Sequence, residues 1–393
     1  MKEELSYVLV TPYTISKSRT GGVLSRLLSR VNLEFVGAQM FAPSRELAAE
    51  YAKSLRETIE PEDKKAADML SNYVLNCFSP SENRTPRVLM LLFRGEDACS
   101  QLSNITGAIH KENIGLESIT GETIRDTYAD IIMSKEDPDK VQYFEPAVLT
   151  PRKQEDARKN LQMFVDFLKD RSPVIENLHY KNPDKVERTL VIIKPDNWMY
   201  ASSKPGTIID MFSRTGLRII STKVQQMSVA QALEFYGPVK DVLKEKLSPV
   251  FGKKAKETLE EKFEIELSDD TLKSLIDSFG VEYAVDQFNQ IVEFMSGSNP
   301  DKCPLEELEN PGKVKSMVLI YEGENAVSKI RDVLGPTDPT KAPGGTIRRE
   351  FGSNIMVNTA HASDSPENAK REMGIVRITE NNCCKIINSY LKS

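Results

Sequence analysis

Short apolar runs separated by longer stretches of mixed polarity recur along the chain. In the first half, Tyr7–Thr11 and Val88–Phe93 are largely apolar runs that predict buried β-strands. Between them, apolar positions at helical spacing predict helices, one of which begins at Ser44, a favourable N-cap residue. Residues 57–87 are polar, and we interpret them as an excursion from the main unit. The first half therefore predicts strands that alternate with helices.

The same pattern begins again in the second half of the chain. Three short segments match in the same order: Ser29–Leu33 with Ser213–Leu217, Phe93–Glu96 with Tyr321–Glu324, and Gly121–Arg125 with Gly344–Arg348. An ordered series of matches indicates an internal repeat. We interpret the chain as two copies of one α+β unit with the order β-α-β-α-β-α-β. Few strands, separated by helices and sharing one sheet, predict the ferredoxin-like (βαββαβ) arrangement in each copy.

The repeat also predicts the domain boundaries. A first domain would cover residues 1–171, a linker 172–186, and a second domain 187–393. The second copy carries extra material at about 237–287, which has a helical pattern, and at about 296–314. We expect these inserts to set the second copy apart from the first.

Composition narrows the classes of function. The net charge of -6 gives no overall attraction to nucleic acid, so we expect no specific nucleic-acid partner, and an anionic substrate would need a local cluster of Lys and Arg. No apolar run reaches the roughly 18–20 residues of a membrane span, so we expect no membrane partner. The five cysteines are odd in number and lack CxxC spacing, which fits a reducing compartment. We therefore expect a cytoplasmic location.

The chain has three histidines, and only one lies in a setting suited to chemistry. His110 lies in a polar stretch and His179 in the predicted linker. His361 stands among small and polar residues in Asn358–Ser365, directly after the apolar run Ile355–Val357. We interpret that run as a strand that delivers an imidazole to a pocket.

Glu372 is the residue that we expect to orient His361. A helix over Pro366–Met373 would let Glu372 face the end of the strand that carries His361. A histidine serves as a nucleophile, a general base or a metal ligand. A nucleophile needs a group that orients its ring, and a carboxylate that accepts one ring N–H leaves the other nitrogen for attack. No second histidine or cysteine lies near His361 in the sequence, so a metal site would need ligands from elsewhere.

Three cations of the second copy stand at the ends of predicted elements. Lys194 follows the strand Leu190–Ile193, Arg331 follows a predicted helix, and Arg348 follows a glycine pair. Such positions can converge on one edge of an antiparallel-rich sheet. Two guanidinium groups and one ammonium group suit a polyphosphate. The chain has neither a Walker loop nor a Gly-x-Gly-x-x-Gly motif, so the two standard phosphate-binding loops are excluded.

From Glu187 to about Met373, the chain resembles the nucleoside diphosphate kinases. The resemblance is carried by four segments in order: Glu187–Asp196 with its Lys-Pro-Asp turn, Arg331–Pro339, Gly345–Arg348 and Asn358–Ser365. It implies a ping-pong reaction, in which the γ-phosphoryl group of a nucleoside triphosphate such as ATP passes to His361 and then to a nucleoside diphosphate. It also implies that Glu372, with Ser363, orients His361.

The resemblance assigns further residues to the nucleotide. The implied phosphate and ribose ligands are Lys194, Tyr236, Arg331, Thr337, Arg348 and Asn358. Mg2+ would bind on the phosphates, and Asp364 would contact it mainly through water. Phe288 and Ile291 are the best matches for the two residues that grip the base. Stacking is indifferent to the base, so broad base tolerance is expected.

Three positions depart from the family pattern. Asn197 stands where the family usually has Gly, Ala362 replaces the Gly that follows the histidine, and Val357 replaces an Arg. None of these changes removes a catalytic group. The insert at about 237–287 lies where family members place a helical hairpin over the nucleotide, so we expect altered access or base choice.

The first copy lacks most of the implied site. Thr11 stands at the position of Lys194, the position of Arg331 falls near Asn104, and the loop Glu145–Thr150 has no histidine. Only Arg125 and Tyr51 remain in place. We therefore predict a catalytically inactive copy that packs against the second half in place of a partner subunit. A regulatory nucleotide site in this copy is the alternative.

Two other functions remain open alternatives. A non-enzymatic nucleotide-binding or scaffold protein would use both copies as interaction surfaces, and a histidine phosphocarrier would act within a larger complex. The sequence also leaves open a homo-oligomer.

Overall fold

The structure is a computed structural model that describes residues 3–109, 121–136 and 141–393. His110 lies outside the described residues. The chain divides into two compact units. Unit 1 consists of residues 1–224, 317–373 and 377–393, and unit 2 of residues 225–316 and 374–376. No helix within the described residues is both long enough and apolar enough to cross a membrane.

The first half forms a four-stranded sheet and a separate two-stranded one. Its strands are β1 (Glu4–Val10), β2 (Glu34–Phe41), β3 (Val88–Gly95), β4 (Asp130–Met133), β5 (Val141–Glu145) and β6 (Val148–Leu149). Its helices are α1 (Pro12–Ser16), α2 (Thr20–Arg30), α3 (Arg45–Ile59), α4 (Lys64–Cys77), α5 (Ala98–Thr106), α6 (Ile124–Tyr128) and α7 (Gln154–Leu168). The four-stranded sheet has the order β2-β3-β1-β6.

The second half forms another four-stranded sheet. Its strands are β7 (Val186–Ile193), β8 (Arg218–Gln225), β9 (Ser316–Glu324) and β10 (Ala360–Ala362), in the order β10-β7-β9-β8. The helices of this half are α8 (Lys204–Ser213), α9 (Val229–Phe263), α10 (Asp269–Leu275), α11 (Val281–Ser296), α12 (Ala326–Leu334), α13 (Ile347–Phe351), α14 (Pro366–Ile375) and α15 (Asn382–Lys392). Helices α9 to α11 belong to unit 2.

Both four-stranded sheets place their strands in the order fourth, first, third, second along the half. This is the strand order of the ferredoxin-like arrangement that the sequence predicts. The registers agree as well: Glu4 lies opposite Gly95, and Glu187 lies opposite Gly323. Non-glycine residues with left-handed backbone recur at matching places, with Ala147 at φ 63 before β6 and Thr359 at φ 78 before β10. The two sheets therefore repeat in detail as well as in order.

Helices α2 and α8, which follow the first strand of each half, pack directly on each other. A Cβ atom added to Gly21 of α2 would lie 2.5 Å from the carbonyl oxygen of Gly206 of α8, so the two backbones touch. Segments also cross between the halves. The amide of Ile175, after α7, donates to Ile220 O of β8 at 2.9 Å, and α15 packs on α7 and β2. The two halves within unit 1 therefore share an interface built from equivalent elements.

Two sequence predictions about local structure are wrong. Residues 57–87 are not an excursion: α3 extends to Ile59 and α4 follows, with Leu70 and Val74 in the core of the first half. The sequence predicts α3 from its N-cap Ser44, whereas it predicts no helix for α4, although Ala66, Leu70 and Val74 keep helical spacing. The run Ile355–Val357 is not a strand either, since its residues form bends and the strand begins later, at Ala360.

The insert of the second copy is helical, as its pattern predicts. Helical backbone extends from the long α9 through α10 and a π-helical turn at Ile276–Gly280 to α11. The helices α9 and α11 extend beyond the predicted limits of about 237–287 at both ends. The second insert contains two short 3-10 turns, Pro300–Lys302 and Leu305–Glu307.

Candidate active site

His361 lies in the middle of the short strand β10. Its backbone pairs with Ile192 of β7, and its neighbours Ala360 and Ala362 point into the core, so the imidazole faces the opposite side of the sheet. The side chain of His361 is 22% exposed. The strand thus holds the ring at the protein surface on a backbone that is fixed by pairing with β7.

Glu372 on α14 binds the ring of His361. The distance from Nε2 of His361 to Oε2 of Glu372 is 3.0 Å, and the Glu372 side chain is 6% exposed. Ser363 donates its hydroxyl to the same carboxylate oxygen at 2.6 Å. An ionised carboxylate only accepts, so this bond places the ring proton on Nε2 and the lone pair of the neutral ring on Nδ1. The arrangement suits a nucleophile or base that acts through Nδ1.

Lys194, which follows β7, is almost fully buried. Its ammonium donates to Asn358 Oδ1 at 2.7 Å and to Met356 O at 3.3 Å. Burial lowers the pKa of Lys194 to about 7, and the nearby charge of Arg348 acts in the same direction. An anion that approached this ammonium would stabilise its charged form.

Arg348 and Asn358 are fixed beside the histidine strand. Arg348 donates through Nη1 to Gly335 O at 2.9 Å and through Nη2 to Ala360 O at 3.0 Å. Asn358 donates through Nδ2 to Thr337 O at 3.1 Å. The structure thus brings Lys194, Arg348, Asn358 and Thr337 together around β10.

Arg331 and Thr337 are exposed at the same edge of the second sheet. Arg331 lies on α12, which packs against β7 and β10, and neither an ion pair nor a hydrogen bond of its side chain is found among the described residues. Two of the three predicted phosphate-binding cations are thus held by hydrogen bonds, and the third is a solvated side chain on a helix that contacts the histidine strand.

Asn197 is a residue of this site that the sequence reasoning missed. It is 2% exposed, and its Nδ2 donates to Lys194 O at 2.9 Å and to Thr359 O at 2.8 Å. It therefore links the backbone of Lys194 to that of Thr359, which has a left-handed conformation and lies two positions before His361. The only signal in the sequence was that Asn stands where the resemblance predicts Gly.

Three predicted site residues lie in unit 2: Tyr236 on α9, and Phe288 and Ile291 on α11. Phe288 is 1% exposed, with the ammonium of Lys240 at 5.4 Å from its ring centroid. The ring is therefore enclosed within unit 2, and its contact with a base stays a prediction. Tyr236 is 7% exposed and Ile291 is partly buried.

Asp364 is the predicted metal contact. It is exposed, and its Oδ1 accepts from Asn368 Nδ2 at 2.6 Å. No group of three His, Cys, Asp or Glu side chains that could hold a metal occurs within the described residues. Mg2+ commonly binds through one carboxylate, water and substrate phosphates, so a single exposed carboxylate fits a metal that arrives with the nucleotide.

The first half has different side chains at the matching positions. Leu149 lies opposite Leu9 of β1, the position that His361 holds in the second sheet. Counting on along the chain from Leu149, Pro151 replaces Ser363 and Asn160 replaces Glu372. The amide of Thr11 donates to Ala147 O as the amide of Lys194 does to Thr359 O. The first half therefore has the backbone of the site but none of its nucleophile, carboxylate or ammonium.

Arg125 is the residue that the two halves share. It donates to Gly107 O and to Val148 O, as Arg348 does to the matching carbonyl groups. Tyr51, in contrast, does not match Tyr236. Tyr51 is the seventh residue after the N-cap Ser44 and lies in the core, whereas Tyr236 is the eighth after the N-cap Ser228. The sequence prediction for Tyr51 is therefore wrong by one helical position.

Comparison with known proteins gives one family. The family model for nucleoside diphosphate kinase matches residues 187–250 and 306–380. A nucleoside diphosphate kinase of Anaeromyxobacter sp. (strain Fw109-5) is 35% identical over 187 residues, which cover 48% of this chain and 86% of that protein. One from a Nitratiruptor species is 35% identical over 188 residues, which cover 48% of this chain and 93% of that protein. The crystal structure of the Aquifex aeolicus nucleoside diphosphate kinase aligns with 27% identity and a TM-score of 0.29, covering 49% of this chain and 94% of that one.

Proposed function

This chain belongs to the nucleoside diphosphate kinase family, and we propose that its second half transfers the γ-phosphoryl group of a nucleoside triphosphate to a nucleoside diphosphate through His361. The observation that carries this proposal is the bonded set of His361, Glu372 and Ser363. Lys194, at the end of the neighbouring strand β7, is bonded to Asn358, which stands just before β10. An imidazole with its proton held by a carboxylate and with a buried ammonium nearby is equipped to attack a phosphoryl group.

The transfer has two balanced steps. In the first, Nδ1 of His361 forms a bond to the γ-phosphorus while the bond from that phosphorus to the bridging oxygen breaks, and the nucleoside diphosphate leaves. In the second, the terminal phosphate oxygen of another diphosphate attacks the phosphohistidine, and the nitrogen–phosphorus bond breaks. Glu372 keeps the ring oriented in both steps, and the positive charges of Lys194 and Arg348 offset the charge on the transferred group.

The remaining ligand assignments belong to the same proposal. Arg331, Thr337 and Asn358 hold phosphates and ribose, while the nucleotide contacts of Tyr236, Phe288 and Ile291 stay predictions from the sequence. Mg2+ would be held by the phosphates and, through water, by Asp364. When bound, it would neutralise part of the phosphate charge. The acceptors are nucleoside diphosphates of more than one base. A cytoplasmic location and a homo-oligomer stay predictions, and an oligomer would need a face other than the one of α8 that α2 already covers.

We propose in addition that the first half is a catalytically inactive copy. Leu149, Thr11 and Asn160 cannot supply the nucleophile, the ammonium or the carboxylate. Its contribution is the interface of α2 with α8, where an equivalent helix of the same chain takes the place that a second subunit would fill.

A transfer assay tests the proposal. Wild-type protein with ATP, Mg2+ and several diphosphate acceptors should produce the matching triphosphates, with parallel lines in the double-reciprocal plots of a ping-pong reaction. His361→Ala should abolish transfer, and His179→Ala, which changes an exposed histidine of the linker, should leave it unchanged. Nucleotide binding without transfer by the wild type would favour the scaffold function instead.

A further inference from the structure

A cleft lies in unit 1, apart from His361. Its volume is about 700 Å³, within the range of about 300–1,000 Å³ of small-molecule sites. The walls come from the first half, from the linker and from the turn before β8. Leu149, the residue of the first half that matches His361, lines a separate and much smaller cavity. The cleft is therefore neither the candidate active site nor its counterpart in the first half.

Arginine side chains give the cleft its charge. Arg87 donates through Nη1 to Ile219 O at 2.8 Å, and Arg218 donates through Nη1 to His179 O at 2.9 Å. Neither guanidinium forms an ion pair with any acid in the described part of the chain, so each has further N–H groups for a ligand. Burial lowers the pKa of Arg87 to about 10, and the charge of Arg218 acts in the same direction, as expected of two cations close together. Arg87 therefore stays charged at neutral pH.

The acids near these arginines are already engaged. Glu145 lines the cleft, but its carboxylate is 1% exposed and accepts from Thr11 and Tyr73 at 2.7 and 2.5 Å. Glu322, whose charge also acts on Arg87, accepts from Arg188 at 2.7 Å and from the hydroxyl of Tyr180 at 3.0 Å. The positive charge of the cleft is therefore not neutralised by its own walls.

Aromatic rings form another part of the wall. Tyr13 and Tyr143 meet edge to face, with ring centroids 6.2 Å apart, and Tyr143 is 38% exposed. Aromatic faces stack on nucleobases, and guanidinium groups bind phosphates through paired N–H donors. The exposed Tyr143, the partly buried Tyr13 and the unneutralised arginines thus combine in one cleft the two recognition elements of a nucleotide.

We propose that this cleft binds a nucleotide, with its phosphates against Arg87 and Arg218 and its base against Tyr13 and Tyr143. The site is independent of His361, so the proposal does not depend on the phosphoryl transfer proposed above. A chain with both sites would bind two nucleotides, one of which is not consumed.

Equilibrium dialysis with a non-hydrolysable ATP analogue tests the proposal on the full chain. Wild type should bind two nucleotides per chain. Arg218→Gln and Tyr143→Ala should each weaken one of the two binding events by about tenfold or more, because the first removes a bond to a charged group and the second removes a base stack. Tyr143→Phe, which keeps the aromatic ring, should bind as the wild type does. Arg45→Gln, which changes an exposed arginine that also donates to a carbonyl group, should have no effect.

The outcomes separate the cleft from the active site. Nucleotide binding to wild type that persists unchanged in Arg218→Gln and Tyr143→Ala would overturn the proposal, whether one or two nucleotides bind. A single nucleotide that is lost in Arg218→Gln would support the cleft and count against the site at His361 instead. Inorganic tripolyphosphate should displace the nucleotide from the cleft less well than the ATP analogue does, and equal displacement would overturn the role of the tyrosines. Circular dichroism of each variant shows that the fold is retained.

Discussion

The buried ammonium of Lys194 predicts that nucleotide affinity falls with rising pH. Its pKa is lowered to about 7, so in the free protein the charged form decreases above neutrality. If only the charged form binds phosphates, the apparent Kd is the intrinsic Kd divided by the charged fraction. The apparent Kd should then rise about eightfold between pH 7.5 and 8.5, over a range where ordinary lysines remain charged.

Isothermal titration with a non-hydrolysable ATP analogue, fitted with two sites per chain, measures this slope for the site that contains Lys194. At pH 8, nucleotide binding should be accompanied by proton uptake. This uptake makes the measured heat depend on the ionisation enthalpy of the buffer. Lys194→Met should bind more weakly and with a flat pH dependence, whereas Lys341→Met, which changes an exposed lysine, should keep the slope. A wild-type Kd that is constant over this range, or a slope that persists in Lys194→Met, would refute the reasoning.

Three further predictions concern the interface between α2 and α8 and the residues that hold His361 in position. Gly21→Ala should lower the free energy of unfolding by about 1–3 kcal/mol because its methyl group meets backbone atoms of α8, while Gly237→Ala, a helical glycine with open space around it, should be neutral or slightly stabilising in the same thermal melts; equal effects would contradict the close contact. Asn197→Ala should lower both the free energy of unfolding and the transfer rate, because it removes the hydrogen bond to Thr359 O beside His361. Thr14→Val, which removes the matching bond to Ala147 O in the first half, should lower the free energy of unfolding only. A lower transfer rate in Thr14→Val would show that the effect of Asn197 is not local. Glu372→Gln should lower kcat by about ten- to a hundredfold, the loss of a charge-assisted bond, with little change in KM for the diphosphate; an unchanged kcat would remove its positioning role.

The repeat and the residues near His361 could be predicted because both are local in sequence. Short matching segments indicate which turns of the two halves are equivalent. His361 and Glu372 could be predicted as a pair because the histidine stands just before a predicted helix that contains the carboxylate. The equivalence of Leu149 and His361 follows from strand register, which the matches alone do not give. The sequence alone predicts the matching loop of the first half as Glu145–Thr150 but does not single out Leu149 within it.

The misses have different causes. Helix α4 was missed because polar residues flank it on both sides, although its apolar residues Ala66, Leu70 and Val74 keep the helical spacing. Asn197 was noted only as a departure, because its bond to Thr359 O joins segments 162 residues apart. That bond is a contact that the local sequence does not show.

The central claim is that His361 carries the phosphoryl group between two nucleotides. Incubation with ATP and Mg2+, digestion under alkaline conditions and mass spectrometry of the peptides test it most directly. The account predicts one phosphoryl group per chain, on the imidazole of His361, which is lost when a nucleoside diphosphate is added. A phosphoryl group on any other residue, or none at all on a protein that still performs the transfer, would contradict it.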